Sequence, residues 1–245
     1  MSHAIRIWEK PTETGVYAIG GDPAEGLERG DDSVLEVINC KTGIQAAEVQ
    51  GKIEPVLYGE LAYMLGTFYN NALIGIESNK DLTPVKALFG LSYPNLYMEM
   101  AERGRAYRSA TDRLGWQTNL RTRPQLIAQG RAFMADGSVT CKSRALTSQF
   151  KSFALHMGKF QGLPGSHDDL VMAWLIAIEM MKISLMRDDM KTRTLRPLVN
   201  GEPIEVTMED VEEEVSYEDK LVARVKEKEA DREGNFHPSG MGSWV

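Results

Sequence analysis

Apolar residues along this chain form two kinds of pattern. Short apolar runs bounded by glycine, proline or aspartate are typical of buried strands, whereas apolar residues three and four positions apart indicate amphipathic helices. The first pattern predicts strands at residues 16–21, 33–39, 45–50, 73–77, 95–100 and 139–142. The second predicts helices at 55–70, 83–90, 123–136, 144–157 and 168–187, with a glycine-rich loop at 158–166.

The order of these elements predicts an α/β fold. Three strands come first as an antiparallel meander, followed by helix, strand, helix, strand and then helices. This is the order of a ribonuclease H-like mixed β-sheet flanked by helices on both faces. In that architecture the first and fourth strands lie side by side, so the residues that end them are expected at one sheet edge.

Acidic residues occupy the ends of the elements that this fold would bring together. Asp22 follows the first apolar run, Glu77 closes the fourth, and Asp168 with Asp169 opens the last helix. Carboxylates at apolar edges cost free energy unless a cation meets them. Two Mg²⁺ or Mn²⁺ ions roughly 4 Å apart would do so, and such a pair is the machinery for in-line phosphodiester cleavage. The pattern therefore predicts a metal-dependent nuclease.

Each acidic position also has a structural interpretation. Asp22 precedes a proline and could start a turn, and either aspartate of the pair could cap the last helix. Glu77 has neither turn nor capping propensity. His167 could be a metal ligand, a general base or a polar neighbour of the cap, and Asp31 could help to hold a metal or be a turn residue.

The distribution of charge favours a DNA partner although the net charge is -7. Residues 103–151 contain ten basic and two acidic residues, an excess of +8, whereas residues 201–233 contain thirteen acidic and five basic residues, an excess of -8. A concentrated basic segment can neutralise phosphates without reading sequence, although it could also be a solvated basic face. The candidate DNA-binding residues are Arg103, Arg105, Arg108, Arg121, Lys142 and Lys151.

The amino-acid composition limits the classes of protein to which this chain can belong. With 245 residues, 42% of them hydrophobic, the chain can bury one sizeable core, which we expect at residues 1–190, followed by an acidic C-terminal extension at 191–245. No apolar run approaches the roughly 20 residues of a membrane span. Cys40 and Cys141 show no CxxC spacing, so buried free thiols are expected rather than a disulfide or a zinc site. We expect a cytoplasmic protein.

The motifs around these residues resemble those of one family. They read AIGGDPAEG at 18–26, IESN at 76–79, GWQT at 115–118, TRP at 122–124 and SHDDLVMA at 166–173. In this order they are similar to the C-terminal nuclease domain of tailed-bacteriophage large terminase subunits, the DNA-packaging motor proteins. The resemblance implies metal binding by Asp22, Glu77, Asp168 and Asp169, and cleavage of concatemeric double-stranded viral DNA with little sequence specificity.

The resemblance also implies a setting. Its partners would be an ATPase domain, the small terminase subunit and the portal protein, on a procapsid in the host cell cytoplasm and not in the mature virion. No GxxxxGK[ST] phosphate loop occurs in the chain, so either the ATPase is encoded elsewhere or the sequence is an excised domain. The early start of the first strand favours an excised domain, which is expected to cut DNA without ATP. The acidic extension would contact the portal, shield the basic groove or be a solvated appendage.

Two other functions fit the acidic residues. A Holliday-junction resolvase-like endonuclease shares the fold class and a similar order of acids, whereas the GWQT and TRP motifs favour a terminase. A catalytically silent DNA-binding or assembly module would keep the fold for protein contacts alone. Cleavage of linear duplex against four-way junctions separates the first alternative, and metal binding in the presence of DNA separates the second.

Overall fold

The computed structural model describes residues 4–99, 114–156, 158–194, 198–199 and 202–203. The chain divides into two compact units, Met1–Arg187 and Asp188–Val245. In the second unit, β8 (Leu198–Val199) and β9 (Glu202–Pro203) form a short antiparallel pair. Most of the acidic extension, including residues 204–245, lies outside the described residues. The division into a nuclease domain and a tail after residue 190 stays a prediction.

A five-stranded mixed sheet forms the centre of the first unit. Its strands are β1 (Ala4–Ile7), β2 (Tyr17–Asp22), β3 (Ser33–Asn39), β4 (Gln45–Gly51) and β5 (Leu73–Ile76), in the spatial order β1-β4-β3-β2-β5. Strands β2, β3 and β4 pair antiparallel, whereas β5 lies parallel to β2. The predicted meander and the predicted neighbours β2 and β5 are confirmed. The edge strand β1 was not predicted.

Helices cover both faces of this sheet, because alternate strand residues face opposite sides. Helices α1 (Pro55–Phe68) and α2 (Thr83–Gly90) pack with the apolar cluster that contains Ile19 and Leu35. Helices α3 (Thr122–Ala135), α4 (Arg144–Ser152) and α5 (Asp169–Thr194) contribute to the cluster on the other face, which contains Ala18, Val34 and the fully buried Trp174. The sheet with helices on both faces confirms the predicted α/β class.

The prediction of one helix over residues 144–157 is wrong beyond Ser152. Strands β6 (Phe153–His156) and β7 (Lys159–Gly162) form an antiparallel hairpin instead, so the predicted loop at 158–166 begins only after Gly162. The rings of Phe153 and Phe160 stack across this hairpin with centroids 6.3 Å apart. Pairing between two segments therefore overrides the local helical spacing, which contains no helix-breaking residue before Gly158.

Two further strand predictions are only partly met. In place of strands at 95–100 and 139–142, isolated bridges join Leu96 to Ile74, Met98 to Leu114, and Thr140 to Ile44. Helix α5 begins at Asp169 and runs to Thr194, past the predicted end at 187. Among the described residues, none of the helices combines the length and apolar content that a membrane span requires.

Close contact between the sheet and α5 depends on one glycine. A Cβ at Gly20 would overlap backbone atoms of Ala173 and Ala177 in α5. A side chain of any size at this position would hold the helix away from β2. Because Gly20 lies two residues before Asp22, this contact also sets the height of the first turn of α5 above the end of β2.

Candidate metal centre

The first two carboxylates meet because β2 and β5 are parallel and in register. Gly21 is the direct partner of Ile76, and the backbone N–H of Glu77 donates to the Gly21 carbonyl over 2.8 Å. Asp22 and Glu77 are the next residues along each strand. Their carboxyl groups come within hydrogen-bonding range of each other at this edge of the sheet.

The third and fourth carboxylates come from the start of α5. The Asp168 carbonyl accepts the first helical hydrogen bond, from Met172 N–H at 2.9 Å, so Asp168 is the residue that precedes the helix. Asp169 is buried, with only 8% of its surface exposed. Its Oδ2 atom accepts a hydrogen bond of 3.0 Å from the backbone N–H of Asp32. The sequence-predicted set of Asp22, Glu77, Asp168 and Asp169 is thus brought to one place.

The first turn of α5 is fixed from α4 as well. The Oε1 atom of Gln149 accepts hydrogen bonds from the backbone N–H groups of Leu170 at 2.9 Å and Val171 at 3.4 Å. Free N–H groups at a helix start need such an acceptor when water is excluded. Gln149 therefore caps the helix start, a role that the sequence allowed for Asp168 or Asp169, and the two carboxylates contact other partners.

Close packing of these carboxylates perturbs their protonation. Burial raises the pKa of Asp22 well above its ordinary value, and the negative charges of Glu77, Asp169 and Asp168 raise it further. Burial raises the pKa of Asp169 to about 6, against the opposing effect of the hydrogen bond from Asp32. Both shifts have the sign expected for carboxylates that lack a compensating positive charge.

The ion pairs around this edge involve other carboxylates. Arg123 Nη2 lies 2.8 Å from Asp168 Oδ2, and Lys52 Nζ lies 2.6 Å from Asp32 Oδ1. Within the described part of the chain, no lysine or arginine forms an ion pair with Asp22 or Glu77. Among the residues that the structure describes, Asp22 and Glu77 are therefore the carboxylates of this edge without a lysine or arginine partner.

A second group of donors adjoins the first through Asp169. His167 Nδ1 lies 3.3 Å from Asp31 Oδ1 and 3.9 Å from Asp169 Oδ2, and one ligand atom from each of the three lies within 4.8 Å of the others. Both Asp31 and His167 are exposed. Asp169 is thus the carboxylate shared by the inner group and by the two accessory residues of the sequence analysis.

An open cleft gives access to these groups. Its volume is about 1300 Å³. The acidic residues form its floor, and residues of the α3 start and of the β6–β7 hairpin line its walls, including Asn119, Leu120, Arg123, Phe160 and Gln161. This volume exceeds the roughly 300 to 1,000 Å³ of ordinary small-molecule pockets.

The overall arrangement resembles solved phage nucleases. The large terminase nuclease from thermophilic phage G20c with bound magnesium aligns with a TM-score of 0.56 and 16% identity, covering 71% of this chain and 86% of that one. The cobalt-bound form of the same nuclease aligns at 0.55 and 18%, with 71% and 86% covered. The Thermus phage P74-26 large terminase nuclease domain aligns at 0.52 and 16%, with 71% and 83% covered.

The fold is that of a large terminase nuclease domain. No protein-family model and no curated protein matches the sequence. The ribonuclease H-like class predicted from the element order is confirmed by this likeness. At such low identity the likeness concerns the fold, so the functional argument depends on the residues of this chain.

Two motifs outside the acids have structural roles in this terminase nuclease fold. Glu77 and Trp116 form a parallel bridge, and Ser78 N–H donates to the Trp116 carbonyl over 2.9 Å. Asn79 Oδ1 accepts from Thr118 N–H at 3.0 Å. The segment 115–118 thus extends the sheet beyond β5 and holds the backbone of Glu77 and its neighbours from the outer side.

The predicted DNA-binding residues are distributed unevenly. Arg103, Arg105 and Arg108 lie outside the described residues. Arg121 is exposed and immediately follows two residues that line the cleft. Lys151 is exposed in the last turn of α4, the turn from which Gln149 reaches the start of α5. Both residues therefore belong to segments that adjoin the cleft or the start of α5.

Lys142 lies elsewhere. Its backbone N–H donates to Gln45 Oε1 over 2.7 Å, and Gln45 begins β4 at the sheet end opposite Asp22. DNA bound in the cleft would not reach Lys142 without extending around the sheet. The residue that sequence reasoning missed is Arg123, which was noted only within a motif. The linear sequence holds no signal for its role, because Arg123 and Asp168 are 45 positions apart and only the fold brings them together.

Proposed function

We propose that this domain is a divalent-metal-dependent endonuclease that cuts double-stranded DNA during viral genome packaging. The observation that carries the proposal is the meeting of Asp22, Glu77 and Asp169 at one sheet edge, where no cationic side chain among the described residues forms an ion pair with the first two. The terminase nuclease fold supports the same function.

The donor set fits hard divalent cations. Carboxylate oxygens are the ligands that Mg²⁺ and Mn²⁺ prefer. Burial and then the charges of the neighbouring carboxylates raise the pKa of Asp22, and a bound cation would offset both effects. Asp22, Glu77 and Asp169 would hold the two ions, with His167 and Asp31 as accessory donors beside Asp169.

When bound, the ions supply an activated water and neutralise the charge of the leaving oxygen. The protein residues orient the substrate. Arg121 and Lys151 would contact the phosphate backbone beside the cleft, together with the predicted Arg103, Arg105 and Arg108. Backbone contacts give affinity without sequence choice, so weak sequence preference is expected.

The proposed setting is a packaging motor in the host cell cytoplasm. The proposed partners are an ATPase domain, the small terminase subunit, the portal protein and concatemeric DNA. The separated nuclease domain would cut without ATP, because none of the cleavage residues above requires a nucleotide.

Plasmid cleavage tests this proposal. Supercoiled and linear plasmid would be incubated with the protein in Mn²⁺, with and without EDTA, and with the variants Asp22→Ala, Glu77→Ala and Asp169→Ala. The exposed Glu60 of α1 gives a matched control, Glu60→Ala. We expect cleavage by the wild type and the control, and none by the three variants although they remain folded.

Other outcomes identify the alternatives. Cleavage that persists in Asp22→Ala would place the active site elsewhere. Preference for a four-way junction over linear duplex would favour a resolvase-like enzyme. A folded wild type that neither cleaves DNA nor binds Mn²⁺ in its presence would indicate a silent binding or assembly module.

A further inference from the structure

Arg123 joins three elements at the edge of the acidic cleft. Its Nη2 atom lies 2.8 Å from Asp168 Oδ2, and its Nε–H donates to the Phe160 carbonyl over 3.0 Å. The guanidinium therefore links the start of α3 to strand β7 and to the residue that precedes α5. Its side chain is only 16% exposed and that of Asp168 is 29% exposed, so the pair is largely shielded from water.

The two neighbouring aspartates consequently face different partners. Asp168 uses an oxygen for a charged side chain, whereas Asp169 accepts a backbone N–H, from Asp32 at 3.0 Å, and lies near Asp22 and His167. A carboxylate already paired with a guanidinium at good geometry is a poor ligand for a second cation, because the pair must first be broken.

We propose that Arg123 is a positioning residue that neutralises Asp168 and so leaves Asp169 as the member of the pair that binds metal. This inference depends on the proposed metal-dependent function and makes it more specific. It also assigns a purpose to the basic residue of segment 122–124, since the same guanidinium ties the β6–β7 hairpin to the metal-binding edge.

The physical basis is charge compensation. Four carboxylates lining one cleft repel one another, and an arginine is the one side chain that stays charged regardless of its surroundings. Removing that charge would free Asp168 and add one uncompensated negative charge beside the metal-binding group. The cluster should then attract a divalent cation more strongly and hold it in a different place.

Mn²⁺ binding without DNA provides a test that does not depend on cleavage. Free Mn²⁺ would be measured by electron paramagnetic resonance at about pH 8, well above the pKa of an ordinary carboxyl group. We expect Arg123→Met to bind Mn²⁺ roughly three- to tenfold more tightly than the wild type while cleaving DNA more slowly. Adding Asp168→Asn to Arg123→Met should return the affinity to the wild-type range.

Single substitutions separate charge from packing. Arg123→Lys keeps the charge but cannot fork to both partners, so its Mn²⁺ affinity should stay within about twofold of the wild type. Asp168→Asn leaves the Arg123 charge unpaired and should weaken Mn²⁺ binding by roughly three- to tenfold, whereas Asp169→Asn should abolish binding. Arg131→Met, which removes an exposed arginine from the same helix, is the matched control and should bind Mn²⁺ as the wild type does.

A purely structural role predicts the opposite sign. If Arg123→Met weakens Mn²⁺ binding, or if Asp168→Asn in that background does not reverse its effect, the assignment is wrong while the nuclease proposal stands. Equal losses in Asp168→Asn and Asp169→Asn would also overturn it. If the wild type itself binds no Mn²⁺, the metal-dependent function fails first and this inference fails with it.

Discussion

Glu77 donates its backbone N–H to the carbonyl of Gly21 over 2.8 Å, and this one bond places the carboxylates of two distant segments side by side. Asp22 follows Gly21 at the end of β2, and Glu77 follows the last residue of β5. Their proximity costs free energy in the absence of metal, because burial and mutual repulsion both disfavour the ionised forms. The close carboxylates therefore lower the stability of the metal-free protein, and this loss can be measured as a free energy of unfolding.

Asp22→Asn should abolish cleavage and stabilise the metal-free protein. The amide removes one charge from the cluster and can donate to Glu77, so we expect the free energy of unfolding to rise by about 1 kcal/mol in urea with EDTA. Asp32→Asn is the opposite control, because it breaks the 2.6 Å ion pair with Lys52 and should lower stability. A less stable Asp22→Asn protein would show that the cluster is not electrostatically strained.

Stabilisation by Mg²⁺ should grow with pH. The folded protein holds protons on Asp22 and Asp169 more tightly than the unfolded chain does, so metal-free stability falls as pH rises from 3.8 to about 6, the window set by Asp169. Above that window the ionised cluster gains most from a cation. The difference in Tm between Mg²⁺ and EDTA should therefore be larger at about pH 8 than at about pH 5. Each kcal/mol of stabilisation by Mg²⁺ corresponds to a rise in Tm of roughly 2 to 4 °C.

The variant Asp169→Asn serves as the control for this pH effect. It removes a ligand and one of the two titrating groups, so the difference between the Mg²⁺ and EDTA curves should shrink at every pH. An equal Mg²⁺ effect at both pH values in the wild type would contradict the linkage between these carboxylates and metal binding.

Gly20→Ala should destabilise the fold and reduce cleavage together. The added methyl group would overlap α5 at Ala173 and Ala177, which costs about 1 to 3 kcal/mol and moves Asp169 relative to Asp22. Gly90→Ala is the matched control, since a Cβ there meets nothing within 4 Å. Urea denaturation and plasmid cleavage should separate the two variants, and equal behaviour would exclude a role for Gly20 in seating α5.

A second pair of carboxylates lies inside the sheet. Glu36 and Glu48 are direct partners on β3 and β4, both fully buried, and each has one side-chain oxygen without a hydrogen-bond partner. Burial and then the Glu48 charge raise the pKa of Glu36 well above its ordinary value of 4.5. Arg6 contacts Glu48, and Gln45 donates to Glu36 over 2.6 Å.

Glu36→Gln should stabilise the protein, and the gain should increase with pH. The folded state favours the protonated form of Glu36, so its contribution to stability is lost as pH rises above 4.5 and the amide avoids that loss. We expect a gain of about 1 to 2 kcal/mol at neutral pH by urea denaturation. Glu48→Gln leaves Arg6 without its anion and should gain less; a larger gain there would show that Glu48 is the costly member.

Local patterns in the sequence were sufficient for the parts of the fold that form between near neighbours. The runs that became β2 to β5 and the spacing that became α1, α2 and α3 each carry their own signal. The segment after Ser152 does not, because helix and strand patterns coincide there and only the pairing of Phe153 with Gly162 selects the hairpin. The edge strand β1 is likewise defined by its partner β4.

The sequence by itself predicted which carboxylates would meet, since Asp22, Glu77, Asp168 and Asp169 each stand at an element end in the order of one known architecture. Tertiary structure alone decided how they differ. Whether an aspartate is paired, capped or left without a cation depends on groups far away in sequence: Arg123 for Asp168, the backbone of Asp32 for Asp169, and Gln149 for the helix start. Electrostatic energy depends on distance in space, which a linear pattern does not contain.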